Sequence, residues 1–385
     1  MLVQSQWQTK KLGDICEMAP GGTPLKSIKE YWLDGKVSWY SSGELNELYT
    51  SAPRKCITHK GLDNSNTKLF PKGSLLIGIY DTAALKMSIL DRQAAFNQAI
   101  VGIKPNSQIE VKFIFHIINA MKTEILSQRR GVRQKNLSFE KIKNIRLPLP
   151  PLPEQHRIVS ILDEAFTEID KAKKNTEENI KKNKELFEAK LQSVFSNPSG
   201  NWQLKKLIEV CKLFNVRNTE LNLPYVGMEN IEAHSGKYIG SKSSQLVKSA
   251  TFYFNSQCLL YGRLRPYLNK VLLPDFEGHC STEIFPIKVN AEITKEYLFY
   301  WFILEDTAIK INKTSTGARM PRANMKEVLN FEIPLPSLPE QHRIITELDS
   351  ISTETKKLEK LYRSKLTHLE ELKKSILKQA FEGKL

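Results

Sequence analysis

Residues 147–158 read LPLPPLPEQHRI, and residues 333–344 read IPLPSLPEQHRI. Ten of these twelve positions are identical at an offset of 186, and an internal repeat constrains a fold more than any local propensity does. The likeness extends upstream, where Gly131-Val132-Arg133-Gln134 holds the place of Gly317-Ala318-Arg319-Met320. It returns near each start: Trp7-Gln8-Thr9-Lys10-Lys11-Leu12 is echoed by Trp202-Gln203-Leu204-Lys205-Lys206-Leu207, and Cys16 by Cys211. Between these, KGSLLIGIY (72–80) resembles SQCLLYGRL (256–264), and AIVGIKPN (99–106) resembles EIFPIKVN (283–290). The matches keep their order through all 385 residues, with offsets that drift as loop lengths change. The chain is a tandem duplication.

Each copy has two parts. Residues 1–150 and 200–336 mix short β-like runs (Val37 to Tyr40, Ser74 to Tyr80, Ala99 to Ile103, Cys258 to Tyr261, Ile284 to Val289) with Gly, Pro, Asn and Ser turns. They also carry amphipathic stretches that predict helices over Val111–Leu126 and Lys295–Ile311. Residues 151–199 and 337–385 predict one long helix each. Pro153-Glu154 and Pro339-Glu340 open them, with proline where a missing N–H costs nothing and an acid in the positive first turn. Apolar residues then recur at threes and fours, from Ile158 to Val194 and from Ile344 to Ala380. A lone stripe of roughly 65 Å cannot bury itself, and its cheapest partner is the other copy. The expected fold is therefore α+β: two pseudo-symmetric mixed domains joined by a long antiparallel two-helix coiled coil. The alternative is that each helix packs only on its own globular part.

The chain carries 57 Lys+Arg against 42 Asp+Glu, a net charge of +15. The excess is +10 over residues 1–150 and +4 over 201–336, while the helical segments are near neutral. Two basic domains held apart by a neutral rod fit a long polyanion with two separated sites, which describes duplex nucleic acid. Because the two copies have diverged, the half-sites should be unlike, and the target asymmetric and bipartite. The loops before each hinge are the best placed to touch it: Arg129, Arg130, Gly131, Arg133, Gln134, Lys135 and Asn136 in the first copy, and Gly317, Arg319, Arg322 and Asn324 in the second. Glycine permits close backbone approach, Arg suits phosphate or guanine, and Gln or Asn suits adenine. Arg263 and Arg265 form a further candidate. At the hinges, Pro153, Glu154, Gln155, His156 and Arg157, with their counterparts Pro339, Glu340, Gln341, His342 and Arg343, read as capping or partner-contact residues.

Chemistry of its own is not indicated. No phosphate-binding loop or dinucleotide fingerprint is present, and seven histidines and five scattered cysteines show no metal-ligand spacing. Asp275 followed by Glu283 faintly resembles a nuclease carboxylate pair, without the lysine two places on. The absence of an apolar leader or of a run long enough for a membrane helix makes the cytoplasm the expected compartment.

These residues carry a family resemblance. Gly21-Gly22-Thr23-Pro24, Tyr31-Trp32, Val37-Ser38-Trp39 and Ser42-Gly43-Glu44-Leu45 look like the opening of a target-recognition domain of a type I restriction-modification specificity subunit. Tyr225-Val226-Gly227-Met228-Glu229-Asn230-Ile231 resembles the matching stretch of such a subunit's second domain, and the twice-written hinge and the ending from Leu377 to Leu385 are similar to that family's. The resemblance spans the whole chain. It implies two domains that each read one part of a split DNA sequence, separated by two helices in an antiparallel coiled coil. It also implies two adenine-N6 methyltransferase (modification) subunits and endonuclease–translocase (restriction) subunits as partners, with S-adenosylmethionine, ATP and Mg²⁺ belonging to them and no cofactor to this chain. The second copy departs from the family's Gly-x-x-Gln-x-Asn-Leu loop, with Met320 in place of Gln and Ala323 in place of Leu. A stand-alone regulator using the same two readers is the alternative function.

Overall fold

The computed structural model describes residues 7–80, 83–127, 136–196, 202–217, 222–245, 247 and 249–385. They fall into two compact units, one comprising residues 1–175 and 365–385, the other residues 176–364. The division cuts through both long helices, so each unit contains a globular lobe, the start of one helix and the end of the other.

In the first unit a four-stranded antiparallel sheet has the order Met18–Pro20, Ile100–Ile103, Leu75–Gly78, Met87–Ile89. Its two central strands are buried on both faces, which explains their nearly unbroken apolar sequences. Alternation divides their side chains between two cores. Leu75, Ile77, Val101 and Ile103 enter the main core with the helix Val111–Ala120, whereas Leu76 and Ile100 face a smaller core with Tyr40, Phe70 and Phe96. A three-stranded sheet (Lys55–Ile57, Val37–Tyr40, Ala95–Phe96) closes over the smaller core. A two-stranded ribbon pairs Gln8–Lys11 with Arg146–Leu149, joining the lobe's first strand to its hinge.

The second unit repeats the plan. Its four-stranded sheet runs Cys211–Leu213, Ile284–Val289, Cys258–Gly262, Val271–Leu272, and Gln203–Lys206 pairs with Glu332–Leu335 in the register of the first ribbon. Leu259, Tyr261, Phe285 and Ile287 enter one core, while Cys258, Leu260 and Ile284 enter another. The copies differ in the three-stranded sheet. Val37–Tyr40 and Ala95–Phe96 pair in parallel, as do Tyr225–Val226 and Gly278–Ser281. The third strand, however, joins the earlier of that pair in the first unit and the later in the second.

The long helices span Leu152–Ser196 and Leu338–Phe381. Within the first unit they run antiparallel, with Asp170 paired to Lys373 and Lys173 to Glu370. Phe381, at the end of the second helix, is buried against Phe113, ring centres 5.3 Å apart. Within the second unit the helices are again antiparallel: Lys190 meets Glu347 at 2.5 Å, and the Asn183 amide donates to Thr355 O at 2.7 Å. The expected apolar seam is only partly formed. Ile158, Leu162, Ile169 and Leu191 are buried, but Leu186, Leu358, Leu361 and Leu372 are exposed. A single neighbouring helix covers one narrow stripe, and a straight helix drifts about 20° per heptad away from it. The helices expected over Val111–Leu126 and Lys295–Ile311 are each broken once, into Val111–Ala120 and Lys122–Ser127, and into Lys295–Ile303 and Glu305–Lys313. Leu304 adopts an extended ψ of 131°, which ends the first helix of its pair.

One joint is built identically in both units. The Gln155 Oε1 accepts from the Glu110 N–H at 2.9 Å, and its Nε2 donates to Gln108 O and to Pro150 O at 3.2 and 2.9 Å. The Gln341 side chain does the same with Thr294 N, Glu292 O and Pro336 O at 2.9, 2.8 and 3.0 Å. Both glutamines are essentially unexposed. A second tie lies about two turns later along each long helix, where Lys112 pairs with Asp163 at 2.6 Å and the Tyr300 hydroxyl donates to Asp349 at 2.5 Å. Replacing Gln155 by Leu strands three backbone groups at the joint, so a loss of about 2–4 kcal/mol is expected in urea denaturation of the full chain. A loss below about 0.5 kcal/mol would show that the joint is not a structural tie.

Candidate nucleic-acid interface

The central strand Cys258–Gly262 delivers the chain to Arg263, whose N–H donates to Glu283 O at 2.9 Å and whose carbonyl accepts from Ala323 N at 2.9 Å. Thr316 and Arg322 exchange backbone hydrogen bonds at 3.0 and 3.1 Å, so the intervening residues form the tip of a hairpin. Gly317 there has φ +93°, a conformation that L side chains rarely adopt. The hairpin is held by one carboxylate. Glu283 accepts from Arg263 Nε at 3.0 Å and from Arg322 Nε and Nη2 at 2.9 and 2.8 Å. Burial opposes ionisation of Glu283, but the hydrogen bonds from Arg322 and Arg263 outweigh it and hold its carboxyl below the usual range.

Two of the four arginines expected at this surface are thus engaged internally. The other two, Arg265 and Arg319, are exposed and make no ion pair among the described residues, and Asn324 is also exposed. Arg265 itself sits in the left-handed region at φ 51°, its N–H tied to Pro321 O at 2.7 Å. The carboxylates considered for a nuclease have other engagements. Glu283 is saturated by two guanidiniums whose charge repels a divalent cation, and Asp275 is exposed and paired with Lys242 at 2.7 Å.

In the first lobe, Arg129, Arg130, Gly131, Arg133, Gln134 and Lys135 lie outside the described residues; Asn136 is within them, half-buried. The framework around them is equivalent: Ile79 N donates to Ala99 O, and Leu137 N to Ile79 O. Ile79, Ala99 and Asn136 therefore stand where the second lobe has Arg263, Glu283 and Arg322. Here a groove of about 810 Å³ opens, lined among others by Asn66, Lys68, Tyr80, Gln98 and Ser138. The Gly21-Gly22 pair makes its wall feasible: a Cβ on Gly21 would fall 2.2 Å from Phe96 O, and one on Gly22 2.6 Å from Thr67 N. Trp39 Nε1 donates to Gly22 O at 3.0 Å, Trp32 meets Trp39 edge-on, and Glu44 accepts from Ser41 N and Arg54 N at 2.9 Å. The aromatic and Ser-Gly-Glu motifs at the lobe's start are thus scaffold. A smaller basic recess of about 410 Å³ lies between Lys26, Trp32, Arg54 and Lys55.

At the hinges, Glu154 and Glu340 each take a bidentate contact from Arg157 or Arg343 at i+3, at 2.7–2.9 Å. His156 Nδ1 lies 3.2 Å from Glu110. Gln155 and Gln341 face inward and are inaccessible to a partner, whereas His342 and Arg343, with Pro339, line a shallow groove of about 800 Å³ along the second helix. Sequence reasoning missed Asn66, Lys68, Tyr80 and Gln98, because they come from separate segments and match no motif. It considered Glu283 for catalysis, not as a clamp. Aligning the two copies across the pairs 79/263 and 99/283 is the signal that finds the clamp.

Because Glu283 is held below its unfolded value, its contribution to stability is full above the ordinary Glu pKa of about 4.3 and is lost as pH falls through the lower folded value. Urea denaturation from pH 6 to pH 3 should show this loss, and Glu283→Gln should lower stability at pH 6 by about 1–3 kcal/mol and flatten the acid dependence. Equal pH profiles for the two proteins would contradict the clamp.

A family model described as "Type I restriction modification DNA specificity domain" matches residues 4–182 and again 199–368. Among curated proteins, the chain is 23% identical to the "Type I restriction enzyme EcoDI specificity subunit" of Escherichia coli, covering 98% of this chain and 88% of that protein. It is 23% identical to the "Type I restriction enzyme MjaIX specificity subunit" of Methanocaldococcus jannaschii, over 88% of this chain and 84% of the relative. Its fold is similar to a chain from a structure described as the structural basis of complex assembly and conformational transition of the type I R-M system, with TM-score 0.78, 18% identity and 98% coverage of both. It is also similar to the HsdS subunit from Thermoanaerobacter tengcongensis, with TM-score 0.64, 19% identity, and coverage of 100% of this chain and 98% of that one. With the family's domain present twice over nearly its whole length, each copy on its own lobe and hinge, this chain belongs to the type I restriction-modification specificity subunits.

Proposed function

We propose that the chain directs a type I modification and restriction assembly to an asymmetric bipartite DNA site, one half read by each lobe, with the paired helices setting the gap. The observation that carries this is a shared framework with divergent surfaces: the same order in the four-stranded sheet and the same glutamine joint in both units, against a guanidinium clamp in one lobe and an open groove in the other. A scaffold kept constant while its reading surface changes is what two unlike half-sites demand.

The partners of this proposal are double-stranded DNA, two adenine-N6 methyltransferase subunits and endonuclease–translocase subunits. Methyl transfer and cleavage, with S-adenosylmethionine, ATP and Mg²⁺, are assigned to those partners and none to this chain. Among the described residues no group of three or more His, Cys, Asp or Glu is placed to hold a metal ion. The groove beside His342 and Arg343 is the proposed contact for a modification subunit. Among the described residues no helix is long and apolar enough to cross a membrane, and the cytoplasm, where genomic DNA lies, is the proposed compartment.

Adenine-methylation mapping of the host genome with and without this gene tests the reading directly: one interrupted motif should lose its methylation, and an unchanged map would refute it. A ruler experiment tests the helices. Inserting four residues into both adds about 6 Å, so the gap in the methylated motif should lengthen by one or two base pairs at about 3.4 Å each. An unchanged gap would show that the helices do not set it.

A further inference from the structure

We propose that the groove of the first lobe is its base-reading site, with Asn66 and Gln98 as specificity-determining residues and Lys68 as a phosphate contact. The inference rests on the lobe being a DNA reader and goes beyond it by assigning the readout to residues outside the loop that the sequence singles out.

Three observations point there. First, the groove lies beside framework positions at which the two lobes differ. The backbone hydrogen bonds Ile79 N to Ala99 O and Leu137 N to Ile79 O match Arg263 N to Glu283 O and Ala323 N to Arg263 O. Where the second lobe has one carboxylate and two guanidiniums, the first has Ile79, Ala99 and Asn136, and a groove of about 810 Å³ with Ile79 in its lining lies beside them. The divergence thus falls on the surface beside the hairpin loop, while the hydrogen bonds beneath it are kept.

Second, the polar groups on the rim are uncommitted and of the right type. Asn66 is exposed with neither amide atom engaged among the described residues. Its donor and acceptor can meet adenine N7 and N6 together, the pairing that distinguishes A·T in the major groove. Gln98 is held differently. Its Oε1 accepts from the Thr23 hydroxyl at 2.5 Å, which fixes the plane of the amide and leaves its Nε2 hydrogens to donate to a base acceptor. The Thr23 of the Gly-Gly-Thr-Pro run thereby acquires a positioning role. Third, the surroundings suit a duplex edge. Lys68 is exposed and unpaired among the described residues, and Tyr80 is exposed on the same groove. Apolar Ile79 and Leu137 also line it, as a thymine methyl would require.

The test uses the full chain assembled with its modification subunits and a pool of random duplexes, bound fractions being sequenced. The unaltered protein should select an interrupted consensus with two halves. In Asn66→Ala and Gln98→Ala, one half should lose preference at one or two positions, a discrimination of roughly 5- to 150-fold falling toward none, with the other half unchanged. Lys68→Ala should weaken binding to all sequences alike and reduce the salt slope by about one. All three side chains are exposed, so thermal unfolding should match the unaltered protein. Retention of both half-site preferences in the Asn66→Ala/Gln98→Ala double variant would overturn the proposal, as would equal relaxation of both halves. Failure of the unaltered protein to select any interrupted consensus would instead refute the underlying reading of the lobe as a DNA reader.

Discussion

The architecture hangs on how a proline-rich hinge disposes of its backbone polar groups. Pro150 and Pro336 have carbonyls but no N–H, and they sit where strand hydrogen bonding stops and helical bonding has not begun. A carbonyl buried there without a partner costs on the order of 1–3 kcal/mol. The glutamine of each Pro-Glu-Gln-His-Arg run meets that need and, through its other contacts, holds the turn that precedes the lobe's amphipathic helix. One side chain therefore locks three segments: the hinge, the lobe and the long helix. A charged residue there would carry a heavy desolvation penalty, and an apolar one would satisfy nothing. This is a physical reason for the same glutamine in both copies.

A lobe fixed to its helix in this way can vary at its surface without disturbing the joint. The sheet cores tolerate little change, since strands such as Leu75–Gly78 and Cys258–Gly262 are buried on both faces. The far end of those strands is where the copies part. In one, Glu283 gathers Arg263 and Arg322 and ties a hairpin that carries exposed Arg319; in the other, Ile79, Ala99 and Asn136 hold those positions beside an open groove. Buried charge has a desolvation cost that only good geometry offsets, so the clamp represents a commitment to one hairpin shape. The groove represents no such commitment.

Much of this was legible in the sequence, for identifiable reasons. Duplication, the hinges, the long helices and the central strands are local patterns repeated at matching offsets, and both units reproduce them. The helix breaks at Met121 and Leu304 were not legible, because the apolar spacing continues through them. Nor was the exposure of Leu186, Leu358, Leu361 and Leu372, since a seam of threes and fours does not reveal how much of it one partner can cover. The arginines near the second hinge were identified as a group, but their division into clamped and free members depends on Glu283, some forty positions away. Asn66, Lys68 and Gln98 belong to no motif at all. They are brought together by sheet order, which pairing geometry alone determines.

The polar contacts of the helix pair have their own logic. Asp170 with Lys373, at the exposed edge of the pair in one unit, and half-buried Asn183 with Thr355 O in the other tie one helix to its neighbour. Apolar contacts alone are nearly indifferent to sliding by one heptad, whereas a hydrogen-bonded or charged pair is satisfied in only one register. Under the proposed spacer role, register matters more than strength: a slip of one heptad shifts one helix against the other by about 10 Å at 1.5 Å per residue. That is about three base pairs of duplex at 3.4 Å each. Stability not supplied along the middle is supplied at the ends, where Phe381 enters the first unit's core and Phe195 the second's, so the chain spends its apolar residues where helix meets lobe.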